Sequence, residues 1–131
     1  MNREIKFRAW IKSQKKIINV YGFSRDNISE TSNDSPCLNE NIFNFNDCEL
    51  MQYTGLKDIE GTEIYEGDIV LRNETGCEGS YNAKYKVIYK KNSFCLEVLQ
   101  SYIFKKGTVL CVMEECDVVG NIYENPELLQ I

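Results

Sequence analysis

The sequence predicts a mainly β fold: a small barrel-like or sandwich domain, SH3-like elements being one form, with little helix and one long polar connection. Three observations lead there. Short runs alternate apolar and polar residues with a period of two, the spacing of a strand with one buried face. Glycine-bearing turns separate those runs at close intervals, as in small sandwiches and barrels. No stretch keeps a helical period for long, and the best of them, around 97–104, reads equally well as strand. The 131 residues are about one domain's length, so 1–131 is read as a single domain.

The first strand is Ile5-Lys6-Phe7-Arg8-Ala9-Trp10-Ile11, with Ile5, Phe7, Ala9 and Ile11 on one face and Lys6, Arg8 and Trp10 on the other. Ser13-Gln14-Lys15 reads as a turn into Ile17-Ile18-Asn19-Val20-Tyr21, which makes a hairpin. From 24 to 47 the chain becomes polar, rich in Asn, Asp and Ser, and is broken by Pro36; Ile42, Phe43 and Phe45 are its apolar anchors. That segment, 24–48, reads as a variable, partly mobile loop with one short strand. Glu49-Leu50-Met51-Gln52-Tyr53 follows, then a bend at Gly55 and a tight turn at Gly61, where glycine supplies a positive φ. Glu66-Gly67-Asp68 is a second turn that launches the apolar strand Ile69-Val70-Leu71. Runs at 84–89 and 93–99 flank Lys90-Lys91-Asn92 as a second hairpin. The last strands are 109–112 and 117–122, and the tail at 124–129 is a turn whose leucines dock on the core.

Composition excludes several function classes. Hydrophobic residues at 43% and charged residues at 27% are ordinary for a globular chain. No apolar run approaches the roughly 18 residues of a membrane span, so no membrane association is expected. The N-terminus alternates charge and hydrophobe and lacks the apolar block of a signal peptide, which predicts a cytoplasmic protein. Six cysteines are then read as reduced thiols rather than a disulfide framework. A structural zinc site wants cysteines two to four residues apart; the closest pair, Cys111 and Cys116, is wider, and histidine is absent. The missing histidine also removes Ser-His, Cys-His and His-metal chemistry. No phosphate-binding glycine motif is present. No catalytic residue, metal or cofactor is therefore assigned.

Three blocks carry a resemblance. They are Arg3-Glu4-Ile5-Lys6-Phe7-Arg8-Ala9-Trp10; the central Gln52-Tyr53-Thr54-Gly55-Leu56-Lys57-Asp58 with Gly61 and Glu63-Ile64-Tyr65-Glu66-Gly67-Asp68-Ile69-Val70; and Val119-Gly120-Asn121-Ile122-Tyr123-Glu124-Asn125-Pro126-Glu127-Leu128-Leu129. In this order the chain resembles the YopX family, small proteins of phages and prophages found mainly in low-GC Gram-positive bacteria. The likeness spans nearly the full chain, with 23–48 and 73–112 as variable connections. It implies a mostly β fold and carries over no activity, cofactor or catalytic residue.

Each block has two readings. Gly55, Gly61, Gly67 and Asp68 form a signature turn whose structural role is the favoured one: glycine permits the bend and Asp68 accepts backbone amides. Trp10, on the charged side of its strand, is either an exposed interface anchor or the cover of a second small core, and Tyr65 joins it as a candidate interface aromatic. Charge is segregated. Residues 81–107 carry Lys84, Lys86, Lys90, Lys91, Lys105 and Lys106 against Glu97 alone, whereas 114–127 carries five acids and no base. Such blocks either pair across a subunit interface or form opposite solvated faces.

The leading expectation is a phage or prophage accessory protein acting as a non-catalytic binding or assembly module. Its partner is a second copy or a host or phage protein. The alternative is a nucleic-acid-binding β module using the hairpin of Lys84, Tyr85, Lys86, Tyr89, Lys90 and Lys91, with tyrosines as stacking groups. A net charge of −5 opposes strong non-specific phosphate binding. A carboxylate hydrolase would have to draw on Glu63, Glu66 and Asp68.

Overall fold

The computed structural model describes residues 4–30, 42–76, 79–111 and 113–129. They belong to two compact units, Met1–Tyr53 and Thr54–Ile131. Both are built of antiparallel strands.

The first unit holds β1 (Phe7–Ile11), β2 (Lys16–Phe23), β3 (Asn27–Glu30), β4 (Ile42–Asn44) and the start of β5 (Cys48–Lys57), ordered β4-β3-β2-β1-β5. The period of two in β1 sends Ala9 and Ile11 into the core with Ile18, Ile28, Phe43 and Cys48. The β1–β2 hairpin is closed by Lys15 in a left-handed conformation (φ 52°), its amide donating to the Ile11 carbonyl at 2.7 Å. Asp47 pins the same turn, accepting from the Ser13 amide at 3.0 Å and from the Ser13 hydroxyl. Within the stretch expected to hold one short strand, the chain makes two, β3 and β4, paired at Ile28 and Phe43. A single buried Ile28 between polar neighbours is too short a pattern to read as a strand, and Ile42, an expected anchor, is exposed. Residues 31–41 of the expected loop at 24–48 lie outside the described residues.

The second unit holds the end of β5, paired with β6 (Glu63–Tyr65), and a sheet of order β10-β9-β8-β7-β11. Its strands are β7 (Asp68–Gly76), β8 (Gly79–Lys90), β9 (Ser93–Gln100), β10 (Val109–Leu110) and β11 (Cys116–Asn121). Val70, Ala83, Tyr85, Val87, Leu96, Val98 and Cys116 share its core with Ile64 and Met113. Lys91 and Asn92 both take positive φ, 53° and 66°, the two-residue turn whose twist suits a hairpin. Gly120 lets the C-terminal turn, Pro126–Leu129, close on β11: a Cβ there would lie 2.6 Å from the Asn125 side-chain oxygen and 2.9 Å from a Leu128 methyl.

The fold is thus mainly β with little helix, as expected. Neither sheet closes into a barrel, so of the two forms the sandwich-like one fits. The edge strand β11 is shielded rather than bare. The Ile59 amide donates to the Cys116 carbonyl at 3.1 Å, and the Val118 amide donates to Asp58 Oδ2 at 3.0 Å.

Candidate functional site

A cleft of 360 Å³ opens in the second unit where the apolar face of β7 and β8 turns polar. The face of β7 that buries Val70 continues with Arg72 and Glu74. Opposite them β8 presents Tyr85, Ala83 and Tyr81, the register partners of Val70, Arg72 and Glu74. Ile103, Phe104 and Leu110 form the apolar wall, with Cys111 beside them.

Glu74 organises this end of the sheet. It is only 8% exposed and accepts hydrogen bonds from the Tyr85 hydroxyl and from Ser101 Oγ, the latter at 3.0 Å and 2.8 Å to its two oxygens. Burial, reinforced by the Glu74 carboxylate, pushes the Tyr85 phenol far above its ordinary range. Ser101 Oγ in turn accepts from the Ile103 and Phe104 amides, both at 3.0 Å. Its proton and both lone pairs are thereby occupied. The hydroxyl serves as a turn element that fixes the rim, with no lone pair free for attack.

Two features remain for a visitor. Arg72, half-buried, makes no hydrogen bond or ion pair among the described residues, although its charge acts on the buried Tyr85 and Cys116. The rim is apolar and open: Tyr102 is 75% exposed and packs at a tilt against Tyr81, ring centroids 4.3 Å apart, followed by exposed Ile103 and Phe104 and the cations Lys105 and Lys106. A guanidinium beside an apolar ledge suits an acidic, partly apolar guest.

The residues expected from sequence divide sharply. Asp68 is buried and accepts the Tyr65 amide at 2.8 Å. Gly55, Gly61 and Gly67 take φ of 90°, 88° and 89°. The Gly67 amide donates to the Val87 carbonyl at 2.8 Å, and its own carbonyl accepts from Ile122 at 2.9 Å. This signature is a structural latch. Asp58, not foreseen as a member, is its other carboxylate, holding the amides of Glu60, Thr62 and Val118. Burial pushes Asp58 upward, and the donated amides of Val118, Thr62, Glu60 and Gly61 outweigh it, so its pKa lies below the ordinary carboxylate value.

Other expectations are corrected. Tyr65 is 6% exposed and so offers a partner little surface. Trp10 is not among them: it is half-buried, between Ile17 of β2 and Glu49 of β5, a position that suits either of its two readings. Tyr85, expected to stack on a ligand, is 1% exposed, because the alternation of β8 puts it on the core side with Ala83 and Val87. Lys84 donates to the Leu128 carbonyl at 2.9 Å, and Lys86 pairs with Glu97 at 3.2 Å. Only Tyr89, Lys90 and Lys91 of that group stand exposed together at the hairpin tip. Arg72, Glu74 and Ser101 escape sequence reading because the apolar run that marks β7 ends at Leu71. The alternation Val70-x-Arg72-x-Glu74 is the signal that could have found the first two.

Among the described residues no helix is long and apolar enough to cross a membrane. No curated protein matches the chain. Among solved structures it is similar to protein EF1440 from Enterococcus faecalis, at 27% identity and a TM-score of 0.61. That match covers 98% of this chain and 100% of the other. The YopX protein family model matches residues 6–130, the strands and turns just described included, and the chain therefore belongs to the YopX family.

Proposed function

We propose that the protein is a non-catalytic binding and assembly module, a phage or prophage accessory protein of the bacterial cytoplasm that associates with itself through the cleft of its second unit. The observation that carries this reading is the open apolar rim, Tyr102, Ile103 and Phe104, set beside Arg72, which has no hydrogen bond or ion pair among the described residues. The chain also contains a fitting guest. Residues 114–127 carry five acids and no base, and within them Glu114, Glu115 and Glu127 are exposed, as is the apolar Val119. A cationic, apolar cleft on one copy and an acidic, apolar edge on the next make a head-to-tail interface, which closes into a ring or runs on as a filament. The test is mass in solution by light scattering over a concentration series. A mass rising above one chain and returning to the monomer in Ile103→Asp, with the circular dichroism unchanged, supports the reading. A monomer at every concentration overturns it.

A second reading rests on Tyr89, 52% exposed, beside Lys90 and Lys91 at the hairpin tip. A short stacking group with two cations is a minimal single-strand platform. It predicts oligonucleotide binding that weakens steeply with salt and with K90E/K91E; no binding at low salt removes it.

A further inference from the structure

A second hollow of the same unit, 290 Å³ in volume, is lined by Lys90, Lys91, Ser93, Cys95, Val109 and Cys111. Its floor holds two thiols whose sulfurs are 3.9 Å apart, neither in a disulfide. Their meeting follows from register. Val109 faces Glu97 and Leu110 faces Leu96, so one step further places Cys111 opposite Cys95. The Val98 amide donates to the Thr108 carbonyl at 2.8 Å and the Val98 carbonyl accepts from the Gly107 amide at 2.8 Å, a glycine bulge (Gly107 φ 91°) that puts 98 at a hydrogen-bonded position opposite 107 and 108. Alternation then makes 96 and 110 the next such pair and leaves 95 and 111 at a non-hydrogen-bonded position, the type whose side chains stand closer. Cα atoms there lie about 4.5 Å apart, inside the span a disulfide bridges.

The two sulfurs differ in access. Cys111 is exposed, while Cys95 is buried at the base with Ser93 Oγ 3.3 Å away. Lys90 and Lys91 are exposed at the mouth. An accessible thiol, a buried neighbour in reach of it and a cationic entrance together fit a small anionic disulfide.

We infer that Cys95 and Cys111 form a reversible dithiol–disulfide site that reacts with low-molecular-weight anionic disulfides. Cys111 loses its proton and its thiolate attacks one sulfur of the small disulfide, expelling the other half as a thiolate that takes up a proton. The Cys95 thiolate then attacks Cys111 Sγ of the mixed disulfide, forming the internal S–S bond and releasing the second half as a thiol. The protein loses two protons and two electrons, and one small disulfide becomes two small thiols. Cys95, in hydrogen-bond contact, raises the Cys111 pKa above the ordinary thiol value, with Lys91 pulling the other way. The reaction therefore quickens as pH rises. The bond would tether the 16-residue separation that contains Ile103, Phe104 and Leu110, a wall of the neighbouring cleft.

The test equilibrates the full chain with glutathione buffers of increasing disulfide fraction, quenches with acid and alkylates. Intact mass and peptide mapping then follow the cysteines. The expected result is a species with two thiols fewer, its linked peptide joining Cys95 to Cys111, which reverts in reduced glutathione. Cys95→Ala is expected to stop at a single glutathione adduct on Cys111, and Cys111→Ser to leave Cys95 unmodified in the folded chain. A mixed disulfide on Cys111 that persists in the unaltered chain overturns the inference, as does preferential linkage of any other cysteine pair. Because Cys111 also borders the cleft proposed for self-association, the equilibration is run at concentrations where light scattering shows a monomer, so the dithiol site stands or falls separately from the proposed function.

Discussion

The second unit buries carboxylates in two places and uses them in opposite ways. In the signature turn, Asp58 and Asp68 hold backbone amides of their own loop and of β11. At the cleft, Glu74 holds two side-chain hydroxyls, and one of those fixes a rim that is open to visitors. A carboxylate that satisfies backbone amides holds the fold in place. A carboxylate that orders side chains around a hollow shapes a surface. The comparison teaches that the more recognisable stretch of this chain builds its turns, and that the less recognisable one shapes the cleft on which the proposed binding rests.

Asp68 offers the hardest test of that division. It is almost wholly buried, and removing it strands the Tyr65 amide while opening a hole under the β6–β7 turn. Asp68→Ala is expected to cost about 3 kcal/mol in urea unfolding, the range for a buried charged acceptor and its stranded donors. Such a loss should leave self-association of the remaining folded fraction intact. If binding fell while stability held, the turn would be a site after all.

Asp58 comes next, with a pH signature. Its folded pKa lies below the ordinary value of 3.8, so its carboxylate is more favourable in the folded chain than in the unfolded one. The contribution is therefore complete above that ordinary value and disappears as pH falls through the folded pKa. Asp58→Asn is expected to be less stable by about 1–2 kcal/mol at neutral pH, from weaker acceptance of three amides. The gap from the unaltered protein should narrow below about pH 4. A gap that stayed constant to about pH 2 would show that the amides, not the charge, carry the effect.

At the cleft the balance shifts from folding toward binding. Ser101→Ala removes one donor to Glu74 and the acceptor of two amides, with an expected loss of about 1 kcal/mol in stability. The same change frees Ile103 and Phe104 to move, so self-association should fall by more than stability does. Equal losses in the two would place Ser101 with the turn residues rather than with a binding surface.

How legible each region is in the sequence follows the same line. The period of two is plain in β1, in β8 and in β9, and the turns at Gly61, Gly67 and Asn92 announce themselves by residue type. Other features depend on distant partners. Ile28 becomes a strand residue by pairing between Phe23 and Phe43. Tyr85 looks like a stacking group because Lys84 and Lys86 flank it, yet its face is decided by Val70 across the sheet. Glu74 and Ser101 are 27 residues apart, and no local pattern predicts their hydrogen bond. Charge segregation is visible in the sequence; which lysines are already engaged, Lys84 with Leu128 and Lys86 with Glu97, is not.

Arg72 gives the smallest effect on folding and so the sharpest separation. It lies at the polar end of the sheet and has no hydrogen-bond or ion-pair partner among the described residues, so its guanidinium contributes little that folding needs. Arg72→Ala is expected to shift unfolding free energy by no more than about 0.5 kcal/mol, the usual range for a side chain away from core and caps. Its charge is what an acidic guest meets, and removing a charge-assisted hydrogen bond from a partly desolvated site weakens binding by about tenfold or more. Light scattering on Arg72→Ala should then show the monomer persisting to higher concentration, while Arg72→Lys restores part of the association. A variant that folds less well and associates normally would invert the comparison, placing Arg72 with the structural carboxylates and leaving the cleft without its anchor.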